Sequence, residues 1–434
     1  MKNSITPENL REWGIVGAGG AGFPSEVKCR ASAEIVIVNA AECEPLLHKD
    51  KELLRKYPEE MLDGLREVMR MVGASRGVIG IKEKYRDVIE ILQPLLPEKT
   101  TIFPLRDFYP AGDEFVLVYA VTGRVIPPGG IPLDVDCVVN NVETLINISR
   151  REPVIRKYLT VAGAVNNPVT VCVPVGTSFR KCLEMAGGAT VDDPVALVGG
   201  VMMGRFCDDF DITVMKTTGG LIIFPREHRL IQRYTAKPKD VRRVGRSACD
   251  QCSFCTELCP RYLLGHPIQP HLAMRSLSFA PPEARMVMGT IYCCECNLCT
   301  LWSCPEDLDP RAACIESKPL VREAGLKWTG TEVKAHPLAE DRRMPVKKLM
   351  SRLDLNQFVN QGPLQDCNFR PDRVVIPVVQ HIGAPAEPVV KSGDRVKPGD
   401  LIAKVPEGKL GAHIHSTIEG VIKNVGERIT IERG

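Results

Sequence analysis

Long apolar runs are absent from this 434-residue sequence. None approaches the roughly 18–20 apolar residues that a membrane-spanning helix requires, so no transmembrane segment is expected. Aromatic residues are scarce, at 5%, and they nowhere interleave with a basic patch of the kind that holds nucleic acid. Charge of one sign is also lacking. The 56 Lys and Arg against 53 Asp and Glu leave a formal +3, too mild a balance to imply nucleic acid. Met1-Lys2-Asn3-Ser4 leads into polar and acidic residues, so no secretory signal is read there and a cytoplasmic address is expected. Hydrophobic content of 44% and charged content of 25% are those of an ordinary globular chain. At about 150 residues per domain, roughly three domains are expected.

What the sequence does have is cysteine, 17 in all. A reducing cytosol disfavours structural disulfides, so metal binding is the better reading. The first run is Cys249-x2-Cys252-x2-Cys255-x3-Cys259-Pro260, the bacterial ferredoxin pattern complete with its proline. The second is Cys293-x2-Cys296-x2-Cys299-x4-Cys304-Pro305, with one extra residue before its last cysteine. Repeated CxxC also builds zinc sites, but two four-cysteine runs that each end in Cys-Pro favour two [4Fe-4S] clusters. In two-cluster ferredoxins the fourth cysteine of each run serves the other cluster. Cys249, Cys252, Cys255 and Cys304 are therefore assigned to one cluster, and Cys293, Cys296, Cys299 and Cys259 to the other. Cys294 and the remaining cysteines (Cys29, Cys43, Cys137, Cys172, Cys182, Cys207, Cys314 and Cys367) lack ligand spacing and are expected as buried thiols. His266 and His271 find all eight ligand places filled and are read as neighbouring or surface groups.

Two clusters sharing crossed ligands relay single electrons, and they need a donor. Gly17-Ala18-Gly19-Gly20-Ala21-Gly22 fits G-x-G-x-x-G, with Glu42 or Glu44 about 20 residues on. The dinucleotide motif should follow a strand and open a helix. Here Phe23-Pro24 closes the loop, and the strand Ile35-Val36-Ile37-Val38 comes after it. Glycines still let backbone N–H groups approach phosphate, so a phosphate-bearing cofactor is expected.

Four motifs stand in order: Gly17 to Pro24 with Lys28, Asn39-Ala-Ala-Glu42-Cys-Glu44-Pro45, Tyr109-Pro-Ala-Gly112-Asp113-Glu114, and Asn140-Asn141-Val-Glu-Thr144-Leu. The set resembles the FMN-binding, NADH-oxidising subunit of respiratory complex I and the C subunit of the Rnf complex. The resemblance implies that Gly17, Gly19, Gly20, Ala21, Gly22 and Lys28 hold the FMN phosphate. It implies that Asn39 and Glu42 contact the flavin and that Asn140, Asn141 and Thr144 complete its pocket. Phe23 and Glu44 would face the nicotinamide nucleotide, and Tyr109, Gly112, Asp113 and Glu114 would line the shared cleft. Ala41 stands where the complex I type usually carries an acid. A flavin suits the junction because NADH gives up two electrons as hydride while a cluster accepts one at a time.

The expected fold is multidomain α/β. Residues 1–150 would form a Rossmann-like FMN/NADH-binding domain. In residues 151–235, Leu159 to Val165 and Val169 to Val173 alternate around Asn166-Asn167-Pro168 as a hairpin, and Phe179 to Ala186 reads as a helix. That order resembles the β-grasp SLBB domain, which the resemblance implies is a ligand-binding module in some proteins and which here is expected at least equally as a spacer or docking surface. Pro225 to Arg246 reads as a basic connector, or as a docking strip for an acidic partner. Residues 240–325 would form the dicluster ferredoxin domain, with helical character over Pro270 to Leu277. Residues 326–365 read as a polar connector with an amphipathic stretch, Val346 to Phe358. Residues 366–434 resemble a barrel-sandwich hybrid domain of the lipoyl type, without its carrier lysine. At the hairpin position stands His413-Ile-His415, two histidines expected at the surface.

The barrel-sandwich domain of the Rnf C subunit usually comes first, whereas here it comes last. That order, with Cys255-Thr-Glu-Leu-Cys-Pro-Arg-Tyr-Leu-Leu-Gly-His266 and Cys293-Cys-Glu-Cys-Asn-Leu-Cys299, resembles the cobalamin reductases of propanediol-utilisation microcompartments. The resemblance implies electron flow from NADH through FMN and both clusters to cobalamin, with the product handed to an adenosyltransferase. It also implies a place inside or at the shell of a bacterial microcompartment. The alternative is an Rnf C-like module exchanging electrons between NAD(H) and a protein partner, such as a shell protein.

Overall fold

The computed structural model describes residues 4–279 and 283–433. Four parallel strands carry the first domain, in the spatial order Thr100–Leu105, Arg76–Lys82, Ile35–Ala40 and Cys137–Asn141. Ile35 to Val38 are fully buried, as strands of a parallel sheet covered on both faces must be. Helix Pro58–Val72 starts on its proline and stops at Gly73, whose φ is +69°. It crosses helix Val142–Arg150 so closely that a β-carbon on Gly64 would lie 2.0 Å from the Leu145 carbonyl oxygen, a contact only glycine permits.

The strand order reverses between Ile35–Ala40 and Cys137–Asn141, which pair in register with Asn39 opposite Asn141. Parallel α/β sheets bind ligands outside the carboxyl ends of the strands at such a switch point. The Rossmann-like reading therefore holds for the sheet. The glycine loop lies before the first strand, where its own Val16–Pro24 bridge and a 2.8 Å bond from Gly17 N–H to the Phe23 carbonyl close it.

The expected hairpin is Arg156–Gly163 with Val169–Pro174, part of a five-stranded mixed sheet that also holds Gly220–Pro225, Pro194–Val198 and Arg205–Cys207. Helix Phe179–Met185 is capped by Ser178. This is the anticipated β-grasp domain. Cys172, on its edge strand, is joined by a disulfide to Cys367, with Cα atoms 4.9 Å apart. The disulfide corrects the reading of both as free buried thiols; the partners are 195 residues apart, so no local spacing could have announced them.

The basic segment after Pro225 is not a connector. It forms helices Arg229–Tyr234 and Pro238–Ala248. Its cations also find acids remote in sequence: Arg226 pairs with Asp193, Arg229 and Arg233 with Asp307, and Arg242 with Glu316. The stretch after residue 326 returns across the first domain. Met344–Pro345 pairs with Phe108–Tyr109, and helix Val346–Arg352 buries Val346, Leu349 and Met350.

The last domain is two antiparallel sheets around Val374, Ile376, Ile402, Ile414, Ile422, Ile429 and Ile431. His413 and His415 are buried in it, which corrects their expected surface position. They lie where this domain docks on the other two. Lys216 of the β-grasp domain donates to the carbonyls of His413, at 2.9 Å, and of Gly14, at 2.7 Å. Burial pushes the Lys216 ammonium down to about 7.

Candidate functional site

The four motifs meet around the switch point because the sheet carries two of them on adjacent strand ends. The Asn39 amide donates to the Gly112 carbonyl at 2.8 Å, and its oxygen receives Ala41 N–H. Asn141 caps helix Val142–Arg150 by accepting Glu143 N–H, and it donates to Asp50. The glycine loop is held from behind: Ala18 N–H donates to Thr144 Oγ1 at 2.9 Å, and the Ala18 carbonyl accepts Lys157 Nζ. Its tip, Gly19 to Ala21, is exposed. At Gly20, φ is +122°, and a β-carbon would meet nothing within 4 Å. A backbone cradle with open space above it is what a phosphate needs.

Lys28 reaches the same region, donating to the Val139 carbonyl at 2.8 Å and pairing with Glu114 at 3.3 Å, with the Phe23 ring beside it. Asp113 caps helix Glu114–Thr122 through Phe115 and Val116 N–H. Two buried polar atoms of the expected set, Asn140 Nδ2 and Glu42 Oε2, have no partner among the described residues. Orphaned groups of this kind call for a ligand or water. Together with the open cradle they fit FMN.

Two acids of the set are shifted. Burial, with Asp50 adding to it, pushes Glu42 up to about 7. Burial also raises Glu44 to about 7, against the pull of N–H donors. Those donors are Met202 and Met203 of the β-grasp domain, at 2.8 and 2.9 Å. The structure thus places Glu44 at the seam between two domains, where a β-carbon on Gly200 would lie 2.7 Å from its Oε2.

The two cysteine runs fold alike. In each, the residues on either side of the second cysteine, Cys252 or Cys296, are left-handed: Gln251 and Ser253 (φ 55° and 62°), then Glu295 and Asn297 (φ 59° and 65°). The extra residue of the second run is taken up by a π-helical turn, Cys299–Ser303, closed by Cys304 N–H on the Cys299 carbonyl. One added residue is what such a turn absorbs. Cys249, Cys252, Cys255 and the crossed Cys304 line one cavity with His271 and Met274. Cys296 lies closest to Cys294, with Cys259 and Cys299 also near it, and Cys293, Cys259 and Cys255 stand near Cys299, so the second group gathers beside Cys294 as well as its four expected ligands. Among the described residues no three such ligands converge on a point for a single ion. A cubane binds each thiolate to a different iron, so its ligands ring a space instead.

The cleft and the cysteines touch. Tyr109, 1% exposed, donates its hydroxyl to the Cys296 carbonyl at 2.7 Å. Arg261 pairs with Asp113 at 2.9 Å, both largely buried, and stacks on Phe115 at 3.4 Å. Asn297 donates to the Met202 carbonyl, so the β-grasp loop that holds Glu44 also holds the second cysteine run. Arg261, Glu143, Lys49 and Lys157 were missed in the sequence. Arg261 and Asp113 are 148 residues apart, and single charged residues carry no spacing signal. Only Glu143 sat inside a motif.

Comparison with known families agrees in domain order. Residues 10–150 match the Nuo51 FMN-binding domain, 158–206 the SLBB domain, 248–309 a 4Fe-4S dicluster domain, and 355–433 the RnfC barrel sandwich hybrid domain. Cobalamin reductase PduS of Salmonella typhimurium is 43% identical over 98% of this chain and 96% of its own length. The Citrobacter freundii protein of the same name is 41% identical over the same shares. The C subunit of the Na(+)-translocating ferredoxin:NAD(+) oxidoreductase complex of Acetobacterium woodii is 34% identical over 58% of this chain and 56% of its own length. In fold, the chain is similar to a crystal structure of NAD+-reducing [NiFe]-hydrogenase in the H2-reduced state, with a TM-score of 0.50 and 20% identity. That match covers 74% of this chain and 63% of the other.

Proposed function

The chain belongs to the cobalamin reductase family, and from that premise we propose that it oxidises NADH at the switch-point cleft and delivers the electrons through two [4Fe-4S] clusters to cobalamin. The observation that carries this reading is the Tyr109 hydroxyl on the Cys296 carbonyl, which joins a residue of the flavin motifs directly to a cluster ligand. FMN, when bound, takes electrons as a hydride pair and releases them singly, the form in which iron–sulfur clusters carry them.

This chain's residues supply binding and position. Gly19 to Ala21 offer N–H groups to the FMN phosphate, and Lys28 balances its charge. Asn140 Nδ2 and Glu42 Oε2 are free to meet the ring system, while Asn39, Asn141 and Thr144 hold the surrounding backbone in place. Glu42, shifted to about 7, can hold or release a proton at neutral pH. Phe23, at the mouth, covers the nicotinamide side, with Glu44 as a further contact there. Tyr109, Gly112, Asp113 and Glu114 form the wall toward the cysteines. Cys249, Cys252, Cys255 and Cys304 hold one cluster; Cys293, Cys296, Cys299 and Cys259 hold the other.

The second reading, electron exchange with a protein partner such as a microcompartment shell protein, draws on a different observation. Cys252 is exposed, and the neighbouring Phe254 is 49% exposed, so this end of the relay faces outward. No helix among the described residues is long and apolar enough to cross a membrane. An adenosyltransferase would receive the reduced cobalamin in the first reading.

The test is anaerobic. Protein reconstituted with FMN, iron and sulfide is mixed with NADH and hydroxocobalamin, and the visible spectrum is followed. Cobalamin reduction that depends on NADH and FMN supports the reductase. Bleaching of flavin and clusters without cobalamin reduction shifts the acceptor to a protein. Cys252→Ser is expected to cost about half the iron and sulfide, one of two clusters, and to leave flavin stoichiometry unchanged. Loss of all flavin from that variant would contradict the ligand assignment.

A further inference from the structure

A cavity of about 850 Å3 lies between the β-grasp and barrel-sandwich domains. It shares no lining residue with the flavin cleft or the cysteine cavity. Five cations border it: Arg156 from the β-grasp domain, Arg370 from the approach to the last domain, and Arg395, Lys397 and Arg433 from the barrel sandwich. Among the described residues only Asp400 and Glu419 oppose them, and Asp400 already accepts Lys397 N–H. Five cations less two acids leave three positive charges around one concave space.

Among the described residues, none of these five side chains forms an ion pair. Most other arginines of the chain do, including Arg226, Arg229, Arg233 and Arg242 in the neighbouring basic helices and loop. Like charges gathered without counter-ions repel one another, and a cavity that keeps them so is arranged for an anion from outside. The rest of the lining is mostly apolar, with Phe369, Val396, Ile418 and Pro398, and its one hydroxyl, on Thr417, is already spent on the Val175 carbonyl. The volume falls within the range of small-molecule sites, and such sites favour domain interfaces. Arginine forks match phosphate oxygens in pairs. An apolar wall beside a cationic border suits a ligand with a phosphate chain on a flat organic body.

We propose that this interdomain cavity binds a nucleoside polyphosphate, at a site separate from the NADH-oxidising cleft. Arg395, Lys397 and Arg433 take the phosphates and Arg370 closes over them, while Arg156, held on the Cys367 carbonyl, adds its charge from the β-grasp side, and Phe369 contacts the base. Affinity rises with the number of phosphates and falls with salt.

The experiment is isothermal titration of the reconstituted full-length protein with ATP, ADP and AMP, with NADH saturating the redox cleft. The expected order is ATP over ADP over AMP. The double variant Arg395→Glu, Arg433→Glu should weaken ATP binding about tenfold or more, while NADH-dependent ferricyanide reduction is unchanged. Both side chains are exposed and unpaired, so their reversal removes no fold contact; an unchanged thermal midpoint checks this. ATP binding unaffected by the double variant overturns the proposal. So does an absence of ATP binding at millimolar concentration, or binding of a polyglutamate peptide in place of all three nucleotides.

Discussion

Gly20→Val is expected to give a folded, cluster-bearing protein that has lost its flavin and, with it, NADH oxidation by about a hundredfold or more. The substitution meets no protein atom, since a β-carbon at Gly20 has nothing within 4 Å. Its side chain instead fills the space over the exposed loop tip where a phosphate would lie. The backbone adds a second effect: φ there is +122°, a conformation that side chains other than glycine rarely adopt, so the loop must change shape. Several N–H groups that would face the phosphate then turn away, and each charge-assisted bond is worth about 1.5–3 kcal/mol. The loop is anchored behind its tip by Ala18 on Thr144 and Lys157, so the damage stays local. Flavin released by acid per polypeptide, measured beside iron content, is the check. Stoichiometric flavin in this variant would remove the phosphate from the glycine loop.

Glu143→Ala should be the most destabilising single change in the first domain, by about 3–5 kcal/mol. Glu143 is fully buried, and Lys49 and Lys157 beside it are 4% and 1% exposed. Its carboxylate receives both ammonium groups and Tyr158 N–H. Removing it leaves Lys49 paired with Asp50 and Lys157 with no ion-pair partner among the described residues. The cluster also connects helix Val142–Arg150, helix Lys49–Lys56, the glycine loop and the β-grasp domain, so flavin affinity should fall along with stability.

The pH dependence separates this account from simple loss of packing. Burial alone would raise the Glu143 carboxyl, but the two ammonium groups overcome it and hold it below its usual value. A depressed carboxylate contributes stability above its unfolded pKa and loses that contribution as pH falls through the folded one. In the parent this term fades only in acid. Burial lowers Lys157 to about 8 even with Glu143 present. Without Glu143 it should fall further. The unfolded state then binds the extra proton up to the ordinary lysine range, so the variant should regain stability as pH rises from neutral toward about 10. Denaturant melts of parent and variant at neutral and alkaline pH test this. Equal midpoints at neutral pH, or a deficit that does not narrow in alkali, would sink it.

The FMN-binding and 4Fe-4S dicluster domains were legible because the motifs that mark them are local. A cluster loop or a phosphate cradle needs certain residue types at short, set intervals, and these intervals survive in the sequence as spacing. Periodicity sufficed for the same reason to find the buried strand Ile35 to Val38, the hairpin around Asn166-Asn167 and the helix from Phe179. Even the additional residue before Cys304 was visible, although the π-helical turn that absorbs it was not.

What tertiary structure alone decided lies at long range. Charge counts made Pro225 to Arg246 look like a solvated connector, because Asp193, Asp307 and Glu316, which neutralise it, are remote in sequence. The Cys172–Cys367 disulfide, the burial of His413 and His415, and the Asp113–Arg261 pair depend on how separate domains pack. The contacts between the cleft motifs and the cysteine runs, Tyr109 on the Cys296 carbonyl and Asp113 on Arg261, join residues far apart in sequence. By itself the sequence determined which cofactors could be held, because ligand spacing is a property of short segments. Folding decided how their sites connect and where five unpaired cations gather, because contacts between distant segments are set by packing and leave no periodic trace along the chain.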